Sequence, residues 1–87
     1  MEIIFDPAKN GKNIAEHGIS LERAKDFDFD NAIVIVDDRK EYGELRYRAF
    51  GALDGPLHVL VFTYRGQQMR VISLRRANKR EVKWYGA

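Results

Sequence analysis

The 87-residue sequence contains no cysteine, so neither a disulfide framework nor a thiolate metal site can form. Its two histidines, His17 and His58, are far apart and lack a metal-ligand spacing. No segment approaches the roughly 18 consecutive apolar residues of a membrane-spanning helix, and the N-terminus lacks the basic and apolar regions of a signal peptide. We therefore expect a cytoplasmic protein that does not bind a membrane.

Several catalytic motifs are also missing. The sequence has no glycine-rich phosphate loop, no nucleophile elbow and no carboxylate cluster with metal-ligand spacing. These absences argue against nucleotide hydrolysis and metal-dependent cleavage, and no metal or other cofactor is expected. The residues are 45% apolar and 32% charged, as is typical of a globular protein. This length suits one domain spanning residues 1–87.

The net charge of +2 is distributed unevenly along the chain. Residues 1–43 carry six Lys or Arg against ten Asp or Glu, whereas residues 44–87 carry nine against three. Most of the excess positive charge lies between residues 70 and 83. Such a patch attracts polyanions or an acidic protein surface, and charge alone does not distinguish between them.

The first third of the sequence predicts a strand and two short helices. Residues 3–5 are apolar, and Asp6-Pro7 supplies a capping side chain followed by proline at the first helical position. The helix should run from about residue 7 to 17 and end at Gly18. Ser20 is typical of the next helix cap, before the segment LERAKDF.

The remaining segments predict four strands and a last helix. The run AIVIV, from Ala32, is typical of a strand covered on both faces. Residues 44–53, 57–64 and 69–75 follow as strands joined by short turns, which favours an antiparallel meander. The closing helix should begin at Asn78, with Glu81 completing a capping box.

The predicted order is β-α-α-β-β-β-β-α. This order indicates a small α+β domain with a twisted antiparallel sheet and helices mainly on one face. The other face would then be available to a partner or substrate.

The closing strand runs into the last helix amid several cations. Strand alternation places Met69, Val71, Ser73 and Arg75 on one face. Free amides at a helix start and arginine forks suit a phosphate, so this junction is a candidate anion site. The alternative is a solvated basic surface whose long side chains cover apolar groups.

Other polar residues have structural alternatives. Lys9, Asn13 and Glu16 fall near one stripe of the first helix, which an amphipathic surface would also explain. His17 precedes Gly18 and suits a helix-end residue as well as a general base. Arg65, before a turn glycine, is compatible with a plain surface role.

Four segments together resemble the BrnT family of toxins from bacterial type II toxin–antitoxin pairs. They are FDPAKNGKNIAEHGIS, YGELRYRAFG, FTYRG and VISLRRANKREVKWY, in that order. The resemblance implies a RelE-like fold and a ribonuclease that halts translation. It also implies neutralisation by a ribbon-helix-helix antitoxin, BrnA, with operator DNA bound only through the complex.

The resemblance also implies roles for particular residues. RelE-like ribonucleases use no metal, and an RNA 2′-OH attacks the adjacent phosphate. The implied catalytic residues are Lys9, Arg65, Ser73 and Arg75; the implied RNA-binding residues are Arg76, Lys79 and Arg80; and further candidates are His17 and Asn13. The alternative is a non-catalytic module whose basic face binds an antitoxin protein or operator DNA.

Overall fold

In the computed structural model, which describes residues 1–86, five strands form one sheet. The strands are β1 (Glu2–Ile4), β2 (Ile33–Val36), β3 (Tyr47–Ala52), β4 (Leu57–Arg65) and β5 (Gln68–Arg76). The helices are α1 (Pro7–His17), a 3-10 helix (Leu21–Asp26) and α2 (Lys79–Tyr85). The predicted α+β class and order of elements are confirmed, although the second helix is a 3-10 helix.

The strands lie in the order β1-β5-β4-β3-β2. The predicted antiparallel meander from β2 to β5 is confirmed. However, β1 pairs with β5 in parallel, so the sheet is mixed rather than wholly antiparallel. Turn lengths determine the direction of consecutive strands only, and β1 and β5 are not consecutive. The strand predicted over residues 44–53 is shorter, since β3 begins at Tyr47.

The core lies between the 3-10 helix and one face of the sheet. Leu21 and Ala24 of the helix are fully buried against strand residues such as Leu60 and Leu74. Gly51 of β3 allows Phe27 to approach the strand closely, because an added Cβ would lie 2.8 Å from the Phe27 ring. The absence of a side chain at Gly51 therefore makes room for Phe27, the residue that follows the 3-10 helix.

The prediction that the AIVIV run is covered on both faces is wrong. Within this run, β2 forms an edge of the sheet, and among the described strands it pairs only with β3. Ile33, Val34 and Val36 are 43%, 47% and 50% exposed. An apolar run signals a buried strand when the strand is central, but strand order is a tertiary property that the run itself does not encode.

The alternation predicted for the closing strand is interrupted by a bulge. The pairs Val61–Ser73 and Phe62–Val71 leave Ile72 as an extra residue in β5. Met69 and Val71 therefore face the core, whereas Ser73 and Arg75 face the opposite side of the sheet. The prediction that all four share a face is wrong, although Ser73 and Arg75 do lie on the same face.

The face opposite the core is partly covered by α2. Tyr85 stacks on Phe50 of β3, with ring centroids 3.9 Å apart and an interplanar angle of 15°. Phe50 alternates with Gly51, which contacts the core side, so the two helical layers lie on opposite faces. The prediction of helices mainly on one face is therefore only partly correct, and Trp84 stays 65% exposed.

Candidate functional site

A groove between α1 and β5 contains four of the residues predicted to form the site. Its volume is about 200 Å³. We call it the α1–β5 groove, and it is lined by Lys9, Lys12, Asn13, Glu16, His17, Ile72 and Ser73. The structure thus brings the predicted Lys9, Asn13, His17 and Ser73 to one place, although the sequence separates Ser73 from the others by more than 50 residues.

Local sequence signals place the α1 side of the groove. Asp6 caps the helix by accepting a hydrogen bond from the Ala8 N–H at 3.0 Å. Gly18 ends it with φ of 70°, a conformation that glycine adopts without strain. Between these ends, the spacing of Lys9, Asn13 and His17 is four residues each time, which puts them on one helix face.

Asn13 joins the two elements that form the groove. Its side chain donates to the carbonyl of Leu74 at 2.8 Å and accepts from the Leu74 N–H at 3.1 Å. It also donates to the carbonyl of Ile19 at 2.8 Å. Asn13 is only 4% exposed. It thereby takes the place of a neighbouring strand along the outer edge of β5, and holds α1 against that edge.

The groove contains both acidic and basic groups. His17 Nε2 lies 3.7 Å from a Glu16 carboxylate oxygen, and Lys12 Nζ lies 3.8 Å from the other. The His17 side chain is 31% exposed, so solvent and a ligand can reach it. Two lysines, a histidine and one carboxylate in the same groove can attract an anion and can also transfer protons.

The Arg75 fork holds an anion that belongs to the chain itself. Its two terminal nitrogens donate to the two Glu81 carboxylate oxygens, both at 2.8 Å. These hydrogen bonds hold the pKa of the Glu81 carboxyl below its usual value. Glu81 also accepts from the Asn78 N–H in the predicted capping box, which is confirmed. Arg75, which the sequence predicted to bind a phosphate, is thus paired with a carboxylate of the protein itself.

Arg65 lies far from Arg75. In the register of β4 and β5, Arg65 of β4 lies opposite Gln68, and Arg75 of β5 lies opposite Val59 of β4. The two positions are six residues apart along the strand, which corresponds to about 20 Å. Arg65 is exposed, and it lies 3.4 Å from Glu44. The structure therefore places Arg65 and Arg75 towards opposite ends of the sheet rather than around one phosphate.

The three predicted RNA-binding residues follow the end of β5. Arg76, Lys79 and Arg80 are all exposed. The Arg80 guanidinium lies 5.8 Å from the centre of the Trp84 ring. Ser73 of the groove is two residues before Arg75 on the same face, about 7 Å away. Lys79 and Arg80 thus follow the groove's Ser73 and Arg75 along the chain, whereas Arg76 pairs with His58 and shares the Gly51 side of the sheet.

Arg48 is a candidate that the predicted site did not include. It faces the same side as Ser73, with Val61 between them in the strand register. Its Nε is buried and has no hydrogen-bond acceptor among residues 1–86, and it lies 3.8 Å from Asp37. Local sequence does not show that Arg48 shares a sheet face with Ser73 and Arg75, because β4 lies between β3 and β5.

Glu16 is a second residue that the predicted site left out. Its spacing from Lys9 was visible in the sequence, but a lone carboxylate on an exposed helix gives no functional signal.

Within the part of the chain that the structure describes, no three His, Cys, Asp or Glu side chains are grouped as metal ligands. None of the helices formed by residues 1–86 has the length and hydrophobicity to cross a bilayer.

The family comparison agrees with the resemblance stated above. A family model described as ribonuclease toxin, BrnT, of type II toxin–antitoxin system matches residues 5–81 of this chain. The match begins before α1 and ends within α2, so it includes both sides of the α1–β5 groove. The comparison with curated proteins gave no match.

Proposed function

Because the chain belongs to the family of BrnT ribonuclease toxins of type II toxin–antitoxin systems, we propose that it cleaves RNA without a metal ion in the α1–β5 groove. The observation that supports this most directly is that Lys9, His17 and Ser73 line the same groove. The lysines supply the positive charge that a metal ion brings to other ribonucleases.

The proposed reaction is an internal transfer at phosphorus. The 2′ oxygen forms a bond to the adjacent phosphorus, and the bond from phosphorus to the 5′ oxygen breaks. The products are a 2′,3′-cyclic phosphate and a 5′-hydroxyl. One group must accept the 2′-OH proton and another must protonate the leaving oxygen. We propose the Glu16 carboxylate and the His17 imidazole for these two transfers, since a carboxylate oxygen of Glu16 lies 3.7 Å from His17 Nε2.

The other groove residues stabilise charge and position the phosphate. The Lys9 ammonium would face the extra negative charge of the transition state, and the Ser73 hydroxyl would donate to a phosphate oxygen. Arg75 would contribute only when a phosphate competes with Glu81 for its fork. Arg76, Lys79 and Arg80 would bind neighbouring phosphates of the same strand.

Arg65 has a different role in this proposal. Because it is about 20 Å from Arg75 along β4, it would contact RNA away from the reacting phosphate. We therefore expect Arg65→Ala to raise KM more than it lowers kcat. An equal loss in kcat would show that Arg65 reaches the reacting atoms after all.

The chemical mechanism can be tested with one RNA oligonucleotide made in two forms. In the second form, a single 2′-deoxy sugar replaces the ribose at the cleaved position. We expect cleavage of the first form in EDTA, a cyclic phosphate by mass spectrometry, and no cleavage of the second form. Cleavage of the deoxy form, or a loss in EDTA that Mg²⁺ reverses, would overturn the mechanism.

Substitutions test the location of the site. His17→Ala is expected to reduce kcat at least about 100-fold, and Arg75→Ala about 100- to 1,000-fold. Lys25→Ala is a matched control, since Lys25 is an exposed lysine of the 3-10 helix that pairs with Glu22. It should leave kcat unchanged. If His17→Ala and Lys9→Ala are both fully active, the groove is not the active site.

The biological part of the proposal is translation arrest relieved by a ribbon-helix-helix antitoxin of the BrnA kind. Expression of the chain alone should stop growth, and co-expression of its antitoxin should restore it. Only the complex is expected to bind operator DNA, because the antitoxin supplies the DNA-binding element. A chain that is harmless alone and cleaves no RNA would instead favour the non-catalytic binding module.

A further inference from the structure

The edge strand β2 exposes apolar side chains on both faces of the sheet. Ile33 and Ile35 share the face of Phe50, while Val34 and Val36 share the face of the core. Three of these four residues are at least 43% exposed. Of the strands formed by residues 1–86, only β3 pairs with β2, at one side. Its outer side therefore presents backbone N–H and C=O groups together with apolar side chains.

Although it has only four residues, this edge lacks the other features that usually prevent strand pairing. Native edge strands are protected by lysine, proline, bulges or inward-pointing charges. The sequence of β2 is IVIV, and its pairing with β3 runs without a register shift. Such an edge is suited to accept one more strand, and main-chain hydrogen bonds would provide the recognition.

The charges around β2 indicate which chemistry would pair with it. Between residues 26 and 38 there are five acidic residues and no Lys or Arg. They flank the strand on both sides and are Asp26, Asp28, Asp30, Asp37 and Asp38. Asp26 pairs with Arg23, Asp37 pairs with Arg39, and Asp28 accepts a hydrogen bond from the Asn31 side chain at 2.9 Å. Asp30 and Asp38, both exposed, are left to repel an RNA phosphate and to attract a basic segment.

A second copy of the chain fits this edge poorly. In an antiparallel pair of two β2 strands, the acidic residues before one strand would face those after the other. In a parallel pair, the acidic residues at each end would face their own counterparts. Like charges directly opposite each other are destabilising in either case. The expected occupant therefore has the opposite charge.

We propose that β2 binds an extended segment of the antitoxin, which adds a sixth strand to the sheet. The segment would carry apolar residues that match Ile33–Val36 and Lys or Arg at both ends. This inference rests on the proposed neutralisation by an antitoxin. Three strand spacings, about 14 Å, separate β2 from β5. The added strand would thus anchor the antitoxin without itself filling the α1–β5 groove.

Hydrogen exchange on the purified toxin–antitoxin complex tests the placement. The outward amides of Ile33–Val36 should exchange rapidly in the free toxin and become protected in the complex. Unchanged exchange in a complex that forms and blocks RNA cleavage would overturn the edge proposal and leave the proposed function standing. Protection of the same amides in the toxin alone, with a dimer in sedimentation, would show self-pairing and also overturn it.

A charge-reversal variant provides an independent measurement. Asp30→Lys combined with Asp38→Lys should weaken antitoxin binding at least about tenfold and make it less sensitive to salt. Glu22→Lys, an exposed acidic residue of the 3-10 helix, is the matched control and should change binding less than about twofold. RNA cleavage by all these variants should equal that of the unmodified chain. An affinity unaffected by the double reversal would refute the proposal.

Failure of the two proposals can be told apart. If the antitoxin does not bind at all while RNA is still cleaved, neutralisation and the edge proposal both fail, but the groove mechanism survives. If the antitoxin binds at β2 and no RNA is cleaved, the edge proposal is supported and the ribonuclease mechanism fails. The cognate antitoxin sequence gives a further check, since it must contain an apolar strand flanked by basic residues.

Discussion

Replacing Asn13 by alanine is expected to destabilise the fold by about 3 kcal/mol or more. The amide makes three hydrogen bonds to backbone groups of Leu74 and Ile19, and each is worth about 1 kcal/mol net. The value rises if the two carbonyls and the Leu74 N–H stay buried without water, because an unsatisfied buried group costs about 1–3 kcal/mol. In a domain of this size, 3 kcal/mol lowers Tm by about 12–24 °C.

Urea unfolding followed by circular dichroism measures this change. The midpoint should fall while the m value stays constant, since the surface exposed on unfolding is nearly the same. Lys12→Ala is the matched control on the same helix, because the Lys12 side chain is 74% exposed and its nearest acid, Glu16, is 3.8 Å away. It should change the free energy of unfolding by less than about 0.5 kcal/mol.

The same variant separates a structural role for Asn13 from a catalytic one. If Asn13 only holds α1 against β5, Asn13→Ala should keep substantial RNA cleavage at low temperature, where the variant is still folded. An unchanged urea midpoint together with a complete loss of cleavage would refute the structural argument. Asn13 would then have to contact the substrate, as the family resemblance allowed.

Three further predictions concern other parts of the molecule. Hydrogen bonds from Arg39 lower the pKa of Asp37 from 3.8 to about 2, so its carboxylate should add about 2 kcal/mol to stability above pH 4. That contribution should disappear as the pH falls from about 4 to about 2, and Asp37→Asn should flatten this part of the stability profile. Gly51→Ala should destabilise the protein by about 1–3 kcal/mol, because its Cβ would lie 2.8 Å from Phe27 and 3.0 Å from the Asp28 carbonyl. Trp84 is the only tryptophan and lies beside Arg80, so binding of an uncleavable deoxy-substituted oligonucleotide should quench its fluorescence. Arg80→Ala should reduce the salt slope of that binding by about 0.7.

Each of these has a result that contradicts it. A stability profile of Asp37→Asn that is parallel to that of the unmodified chain between pH 4 and 2 would mean that the carboxylate is not stabilised by its partners. An unfolding midpoint unchanged by Gly51→Ala would mean that the 3-10 helix layer moves freely. A salt slope unchanged by Arg80→Ala would mean that Arg80 does not contact an RNA phosphate.

Local sequence signals predicted the helix boundaries well. Asp6-Pro7 and Gly18 act within a few residues of where they stand, so the ends of α1 could be read directly. The capping box of Asn78 and Glu81 is likewise a contact between residues three apart. Helix periodicity also placed Lys9, Asn13 and Glu16 near one stripe of α1 before any fold was known, and all three line the groove.

Contacts between distant segments were predicted less well. The bulge at Ile72 moved Met69 and Val71 away from the face of Ser73, because it depends on how β5 pairs with β4. The exposure of Ile33–Val36 depends on that strand being last in the sheet. No local pattern reports either property.

The sequence by itself determined where helices start and stop, which segments are strands, how charge is divided between the halves, and the family. Only the tertiary structure decided which side chains distant in sequence come into contact. It closed the Arg75 fork on Glu81, separated Arg65 from Arg75, and brought Ser73 beside Lys9 and His17. The physical reason is range: caps and turns are set by neighbouring residues, whereas strand order and register follow from packing the whole chain.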